Sequence, residues 1–360
     1  MKTPGHAIPP PIRLRLTRAG LSILFLFIFL TFPLSACTTQ KATVQVPISA
    51  QNFQLNTLIT ITLYDSEDQS LFPVVFDEIR RLENILSASL PGSDPDRLAQ
   101  NAGKEYIAVS EETLTLLEKS NAFSDLSEGA FDCTVGPLVS LWGITDGGGR
   151  VPSEEEREYA LSLIGYRNVL MNEDGWVMLK YPGMKLDFGA IAKGYIADQV
   201  KDLLAARGVR SAVIDLGGNI VLLGNKPDGS DYRIGVRDPA EESGDYFAVF
   251  EKSDMSLVSS GSYERFFVQG DQVYHHILDV HTGYPSETEL LQVTILSNSS
   301  MDGDGFSTTA FLLGLERGLA LLNSTEGVEG VFVTKDKQVY LTNGLDDDFT
   351  IVSDAYTLKR

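Results

Sequence analysis

The chain has 360 residues, with 29 Lys and Arg against 49 Asp and Glu, for a formal net charge of −20. So acidic a surface repels phosphate backbones, which argues against nucleic acid as a partner, and an anionic substrate then needs a local cation, a metal ion, to offset the field. Only two cysteines, Cys37 and Cys133, are present, which leaves no disulfide if Cys37 is consumed by lipid, so stability is expected to rest on an apolar core.

In chain order, Lys2, Arg13, Arg15 and Arg18 precede the apolar run LSILFLFIFLTF, which leads to Leu34-Ser35-Ala36-Cys37. A basic start, an apolar centre and small residues at the end make residues 1–36 a secretory signal. The run is shorter than the ~20 residues of a membrane span. Its Leu-Ser-Ala-Cys ending resembles a bacterial lipobox, which implies that Cys37 is lipidated and becomes the first residue. An uncleaved anchor helix is the alternative. Both put the remainder at the outer face of the cytoplasmic membrane or in the periplasm. Losing residues 1–36 moves the charge to −24, 25 basic against 49 acidic. Residues 37–50 read as a polar tether and 51–360 as one large domain.

NTLITITLYD (56–65) alternates like a strand. Leu71, Val75, Ile79, Leu82 and Leu86 recur at helical spacing. SASLPGSDPDRLAQNAG (87–103) has the composition of a loop, and 111–127 reads as a helix with Ser110 as N-cap. DGGGR (146–150) is a flexible break before a helix from about Ser153. Strands are expected around WVMLKY (176–181) and MKLDF (184–188), then a helix over 190–207. Beyond Gly208 the chain is strand-rich, with one strong helix over 307–323 and short strands at 330–334 and 338–342. Helices and hairpin-like strand clusters without strict βαβ alternation predict an α+β fold of mainly antiparallel sheets.

Four stretches have the residue types for chemistry. LDFGAIAKGYIAD (186–198) reads as a strand, a Gly189 turn and a helix opening near Ala190, whose free N–H groups and Lys193 suit an anion. Gly194 inside that helix implies a close approach by ligand or backbone, unless it is plain packing. VIDLGGNIVLLG (213–224) reads as a hairpin turn; it lacks GxGxxG spacing and leads into a strand, so it is no dinucleotide fingerprint. In MDGDGFSTTAFLLG (301–314), Asp304 just before a helix lies one turn from Thr308, and the two oxygens suit one hard cation such as Mg²⁺. An ordinary acidic N-cap is the alternative there, and no Glu at the twelfth position supports an EF-hand. Finally, HHILDVHTGYP (275–285) holds three of the four histidines. A strand through VYHHILDV points His275 and His276 to opposite faces, which argues against a zinc cage and for one His in acid/base work.

In order and separation these stretches, with AFDCTVGPLVSLWG (130–143) and SGSYERFF (260–267), resemble the signature blocks of the ApbE family, the FAD:protein FMN transferases. The resemblance runs from about Asn56 to Tyr340. It implies a T-fold-like α+β domain around one FAD, and a reaction in which FMN passes from FAD to a Thr or Ser hydroxyl of another protein as AMP leaves. It implies Mg²⁺ on Asp304, Thr308 and the Ala190 carbonyl. It implies FAD contacts from Leu55, Ala130, Phe131, Asp132, Asp187, Lys193 and Ile277, and His276 as base or phosphoryl stabiliser. Implied acceptors are membrane-associated flavoproteins of the Rnf/Nqr type or secreted proteins with FMN-binding domains.

The chain departs from the family at Ser89, which stands where an aromatic usually packs on the flavin; Phe131 or Tyr263 is the expected substitute. His281 replaces the usual Arg of Asp-Pro-Arg-Thr-Gly. Three other readings stay open. One is a flavin-binding electron carrier, since Asp304 to Thr309 is faintly similar to an FMN acceptor pattern; the others are an FAD pyrophosphatase and a lipoprotein that merely holds a flavin.

Overall fold

The computed structural model describes residues 46–145, 147–241, 244–345 and 349–359. The expected signal sequence, Cys37 and most of the tether lie outside the described residues, as does Asp146 of the DGGGR break. No described helix is long and apolar enough to cross a membrane.

Strands β1 (Ile48–Gln54) and β2 (Thr57–Leu63) form a hairpin, followed by helices α1 (Leu71–Leu86), α2 (Asp94–Gln100), α3 (Glu111–Leu126), α4 (Gly136–Trp142) and α5 (Glu154–Ser162). A small ribbon, β3 (Val169–Met171) and β4 (Val177–Leu179), precedes α6 (Ala192–Ala206). Then come β5 (Ala212–Asp215), β6 (Asn219–Leu223), β7 (Tyr232–Arg237), β8 (Tyr246–Lys252), β9 (Ser256–Gly261), β10 (Phe266–Gln269), β11 (Gln272–His275) and β12 (Leu290–Ser297). The chain closes with α7 (Ser300–Asn323), β13 (Val328–Thr334), β14 (Gln338–Leu341), β15 (Phe349–Ile351) and β16 (Thr357–Lys359).

One sheet organises everything else. Its nine strands run in the order β1-β2-β5-β6-β9-β12-β13-β14-β16, antiparallel except at the β14–β16 edge. The expected α+β class with mainly antiparallel sheets is what the structure has. Period-2 alternation assigns the two faces of the central strands. Val293, Ile295 and Phe332 enter the core shared with the helices. Leu296, Val331 and Val333 enter a second core, under the three-stranded sheet β15-β8-β7. Covered on both faces, these strands read as unbroken apolar runs. On the helical side, α1 buries Ile79 and Leu82 completely, each worth about 1.5–3 kcal/mol relative to exposure. A third cluster sets Trp142 against Phe267 and Tyr274 of the β10–β11 hairpin, and Trp142 Nε1 donates to the Gly283 carbonyl at 2.8 Å. That bond ties the 130–143 segment to the HTGYP turn.

Several local expectations need correction. MKLDF pairs with no strand: it runs extended, and Asp187 N–H donates to the Cys133 carbonyl at 2.8 Å. The following helix opens at Ala192, two residues after the expected start at Ala190. Asp304 does not precede its helix. Ser299 is the N-cap, accepting from Asp302 N–H, so Asp304 lies in the second turn. The strand through the paired histidines ends at His275. The 87–103 loop contains α2, capped by Ser93. Finally, β1 begins at Ile48, inside the stretch read as tether; as an edge strand its side chains alternate between half-buried and exposed, so no apolar pattern marked it.

Helices α6 and α7 touch backbone to backbone. A Cβ on Gly194 would lie 2.1 Å from the Ser300 carbonyl oxygen, so the glycine in the opening turn of α6 is a packing requirement between helices. Asp198, one turn on, accepts from Ser300 N–H (2.8 Å), Met301 N–H (3.0 Å) and Ser299 Oγ (2.9 Å), capping α7 from the side of α6. Gly194→Ala must separate the two helices and is expected to lower stability by about 3 kcal/mol in urea denaturation. Gly148→Ala, whose Cβ would meet nothing within 4 Å, should change it by less than about 0.5 kcal/mol.

Candidate active site

A cavity of about 730 Å³ is lined by Leu55, Ser89, Ala130, Phe131, Asp132, Asp187, Ala190, Lys193, His276, Ile277, Asp304 and Thr308. These are all the site residues expected from sequence apart from Cys37, which lies outside the described residues. The volume suits a large organic ligand.

Helix α7 brings Asp304 and Thr308 to one wall, because residues four apart share a helix face. Asp304 is buried, and its Oδ2 accepts from Gly194 N–H at 2.8 Å. As the third residue of α6, Gly194 has no carbonyl within the helix to bond, and Asp304 takes its N–H instead. No hydrogen bond to the Ala190 carbonyl forms among the described residues, and half-buried Ala190 lines the cavity. Carboxylate, hydroxyl and carbonyl are the hard oxygen donors that Mg²⁺ takes, and the set fits such an ion. Ser260 lies 3.4 Å from Thr308 Oγ1 and 2.7 Å from Ser307 Oγ, while Ser307 donates to the Asp304 carbonyl. The described residues contain no cluster of three or more His, Cys, Asp or Glu that could hold a metal, so any cation site here is built from mixed oxygens.

Burial raises the pKa of Asp304, against the nearby Lys193 ammonium and the Gly194 N–H, which favour the charged form. Asp132, whose carboxylate accepts from Thr134 and Tyr166 N–H, is likewise raised by burial. Glu264 is pushed up by the protein packed around its carboxyl, although the side chain is open to the cavity, so its full desolvation awaits an occupant. Asp187 Oδ1 accepts from Gly189 N–H at 2.7 Å and shapes the turn into α6.

The two adjacent histidines diverge. His275 turns from the cavity, its Nε2 3.0 Å from the Ser286 carbonyl and its ring edge-on to Phe311. His276 lines the cavity, with Nδ1 3.3 Å from the Arg265 carbonyl. A carbonyl only accepts, so Nδ1 carries the proton and Nε2 keeps its lone pair. Burial, then the Arg265 charge, push the His276 pKa down to about 3. His281 is exposed and lines a smaller pocket with Asp279 and Arg317.

Ser89 stands exposed at the cavity with no ring to offer. Phe131 is held in the core against Phe123, while half-buried Tyr263 presents its ring to the cavity under Arg237. Glu264, Arg265 and Arg237 also line the cavity and were given no role from sequence. The signal of Glu264 and Arg265 was present in SGSYERFF, but a turn between strands does not announce which way it faces, and Arg237 ends β7. Cys133 is buried and its thiol pKa is pushed up, so it is an inert core residue.

An antiparallel α+β frame around one deep, oxygen-rich cavity is the arrangement of a small-molecule enzyme. The family model described as the ApbE family matches residues 55–332, and the chain belongs to that family. It is 38% identical over 286 residues to an FAD:protein FMN transferase of Klebsiella pneumoniae (strain 342), covering 79% of this chain and 88% of the other. Identity to the protein of the same description from Treponema pallidum (strain Nichols) is 34% over 324 residues, covering 85% and 90%. Among solved structures, the ApbE protein of Thermotoga maritima superposes with a TM-score of 0.76 at 30% identity, covering 83% of this chain and 97% of that one. The flavin transferase ApbE of Vibrio cholerae gives 0.72 at 27% identity, covering 85% and 96%.

Two outcomes follow from the site's electrostatics. Asp304→Asn keeps an acceptor for Gly194 N–H but removes a buried charge, so the variant's Tm in EDTA should rise by a few degrees while turnover is lost. His276 is neutral in the fold and protonates more easily unfolded, so the stability it contributes is present above about pH 6.5 and falls away as pH drops toward 3. His276→Gln should therefore lose less stability than the parent when urea midpoints at pH 7 and pH 4.5 are compared.

Proposed function

We propose that the chain is a Mg²⁺-dependent FAD:protein FMN transferase, which moves FMN from FAD to a Thr or Ser hydroxyl of a target flavoprotein and releases AMP. The observation that carries it is the gathering of the Ala190 carbonyl, the Asp304 carboxylate and the Thr308 hydroxyl in one cavity with Lys193 and His276. The relatives described above, which are FAD:protein FMN transferases, support the same reading.

Phosphoryl transfer depends on positioning and charge neutralisation more than on covalent help. Asp304, Thr308 and the Ala190 carbonyl would hold Mg²⁺, which when bound neutralises diphosphate oxygens. Lys193 adds a cation at the opening turn of α6. His276 Nε2 takes the proton of the acceptor hydroxyl as its oxygen bonds to the FMN phosphorus, and the bond to the AMP oxygen breaks. A pKa near 3 in the empty cavity keeps His276 unprotonated, and the diphosphate's negative charge raises it toward the working pH. Leu55, Ala130, Phe131, Asp132, Asp187 and Ile277 line the space for the dinucleotide. In this reading Cys37 anchors the enzyme by lipid at the outer face of the membrane, where flavoproteins of the Rnf/Nqr type or secreted FMN-binding domains are the acceptors.

The test is one incubation of FAD and Mg²⁺ with and without an FMN-binding domain, following protein-bound FMN and free AMP together. Transfer gives both in equal amounts, and only with the acceptor. FMN and AMP without modified acceptor would make the protein a pyrophosphatase, and FMN bound to the chain itself a carrier. His276→Ala should still bind FAD but transfer at least about 100-fold more slowly.

A further inference from the structure

We propose that Asn219 is a positioning residue whose side-chain amide stands between the Lys193 ammonium and the Asp304 carboxylate and keeps the two from pairing. The inference rests on the cation site described above and deepens it. Asn219 opens β6 directly after the Gly217-Gly218 turn, a stretch that no step of the reaction has used. The turn is rigid: Asp215 Oδ1 accepts from the N–H groups of Gly217 (2.9 Å) and Gly218 (3.1 Å), and Leu216 N–H donates to the Asn219 carbonyl at 2.9 Å. Both glycines have positive φ, 70° and 101°, and a Cβ on Gly217 would fall 2.0 Å from Thr57 Oγ1. So tight a turn leaves the Asn219 side chain little choice of direction.

That side chain is fully buried, at 0% exposure. Its Oδ1 accepts from Lys193 Nζ at 3.2 Å, while Nδ2, bonded to nothing else, is the donor turned to the Asp304 carboxyl, whose charged form it favours. Lys193 and the buried Asp304 attract each other, and the lysine stem is long and flexible. Nevertheless no ion pair joins them among the described residues. The amide explains the gap, since it offers the ammonium a carbonyl and the carboxylate a donor. Were the two charges to pair, the oxygen set of Ala190, Asp304 and Thr308 would have its one anionic member neutralised. Lys193 would also be withdrawn from the anion it faces. Asn219 thus keeps one charge for a cation and the other for a diphosphate.

The test reads cation binding in the full chain, apart from turnover, by titrating Mn²⁺ and following the EPR signal of the free ion. Failure of the wild-type protein to bind Mn²⁺ would remove the cation site itself and this inference with it. Given wild-type binding, Asn219→Ala should weaken Mn²⁺ by about 10-fold or more, because the freed Lys193 competes for Asp304. The double variant Asn219→Ala with Lys193→Met should recover the affinity of Lys193→Met alone to within about 3-fold, the non-additivity expected of coupled neighbours. Unchanged binding in Asn219→Ala, or a double variant as weak as the single, overturns the proposal; the second result would mark Asn219 as a packing residue. Should Asn219→Ala fail to fold, Asn219→Ser, which also releases Lys193, takes its place in the same pair with the same outcomes.

Discussion

Two helices of this protein meet with nothing but backbone between them. Gly194 of α6 lies under the first turn of α7 so closely that no side chain fits. Its N–H, one of the free donors at the opening of α6, goes to the Asp304 carboxylate. Asp198 completes the arrangement by capping α7 from α6. Further glycines extend the same logic along α7. A Cβ on Gly303 would meet Ser297 and Val258 at 2.9 Å, and one on Gly305 would meet Phe123 at 2.1 Å. The glycines in the acidic stretch of α7 are there to let a helix press into the sheet and α3, and that depth carries Asp304 to the cavity wall.

Such a site is held against electrostatic cost. Asp304, Asp132 and Glu264 sit where burial disfavours their charges, and His276 where it disfavours protonation. A chain of net charge −20 adds to the difficulty at long range. The core has to cover it, and it does so with a central sheet buried on both faces. A ligand that brings its own anion and a cation would relieve part of the cost, which couples occupancy of the cavity to stability.

Periodicity was a good guide wherever one face of an element is buried. It located α1 from Leu71, Val75, Ile79 and Leu82, and β2 from NTLITITLYD, because a half-buried surface forces the polar residues to the other side. It failed at β1, an edge strand held by its partner's backbone, and at α2 and α4, each seven residues long and too short to show a period. It also made a strand of MKLDF, whose alternation is genuine but whose hydrogen bonds go to a loop at Cys133. Capping chemistry, being local, was read correctly at Ser110 and missed at Ser299, where Met-Asp-Gly-Asp-Gly offered nearer candidates.

The residue types at the cavity were written into the chain itself: an Asp four places before a Thr, a Lys near a helix opening, one adjacent pair among the chain's four histidines. Side-chain chemistry and short-range spacing are properties of a segment and need no fold to be seen. Which of the two histidines faces the ligand, why Gly194 is a glycine and where Asn219 points belong to another level. They follow from how α6, α7 and the β5–β6 turn approach one another across more than a hundred residues of sequence. Distances between such segments are set by packing of the whole core, and no local pattern records them.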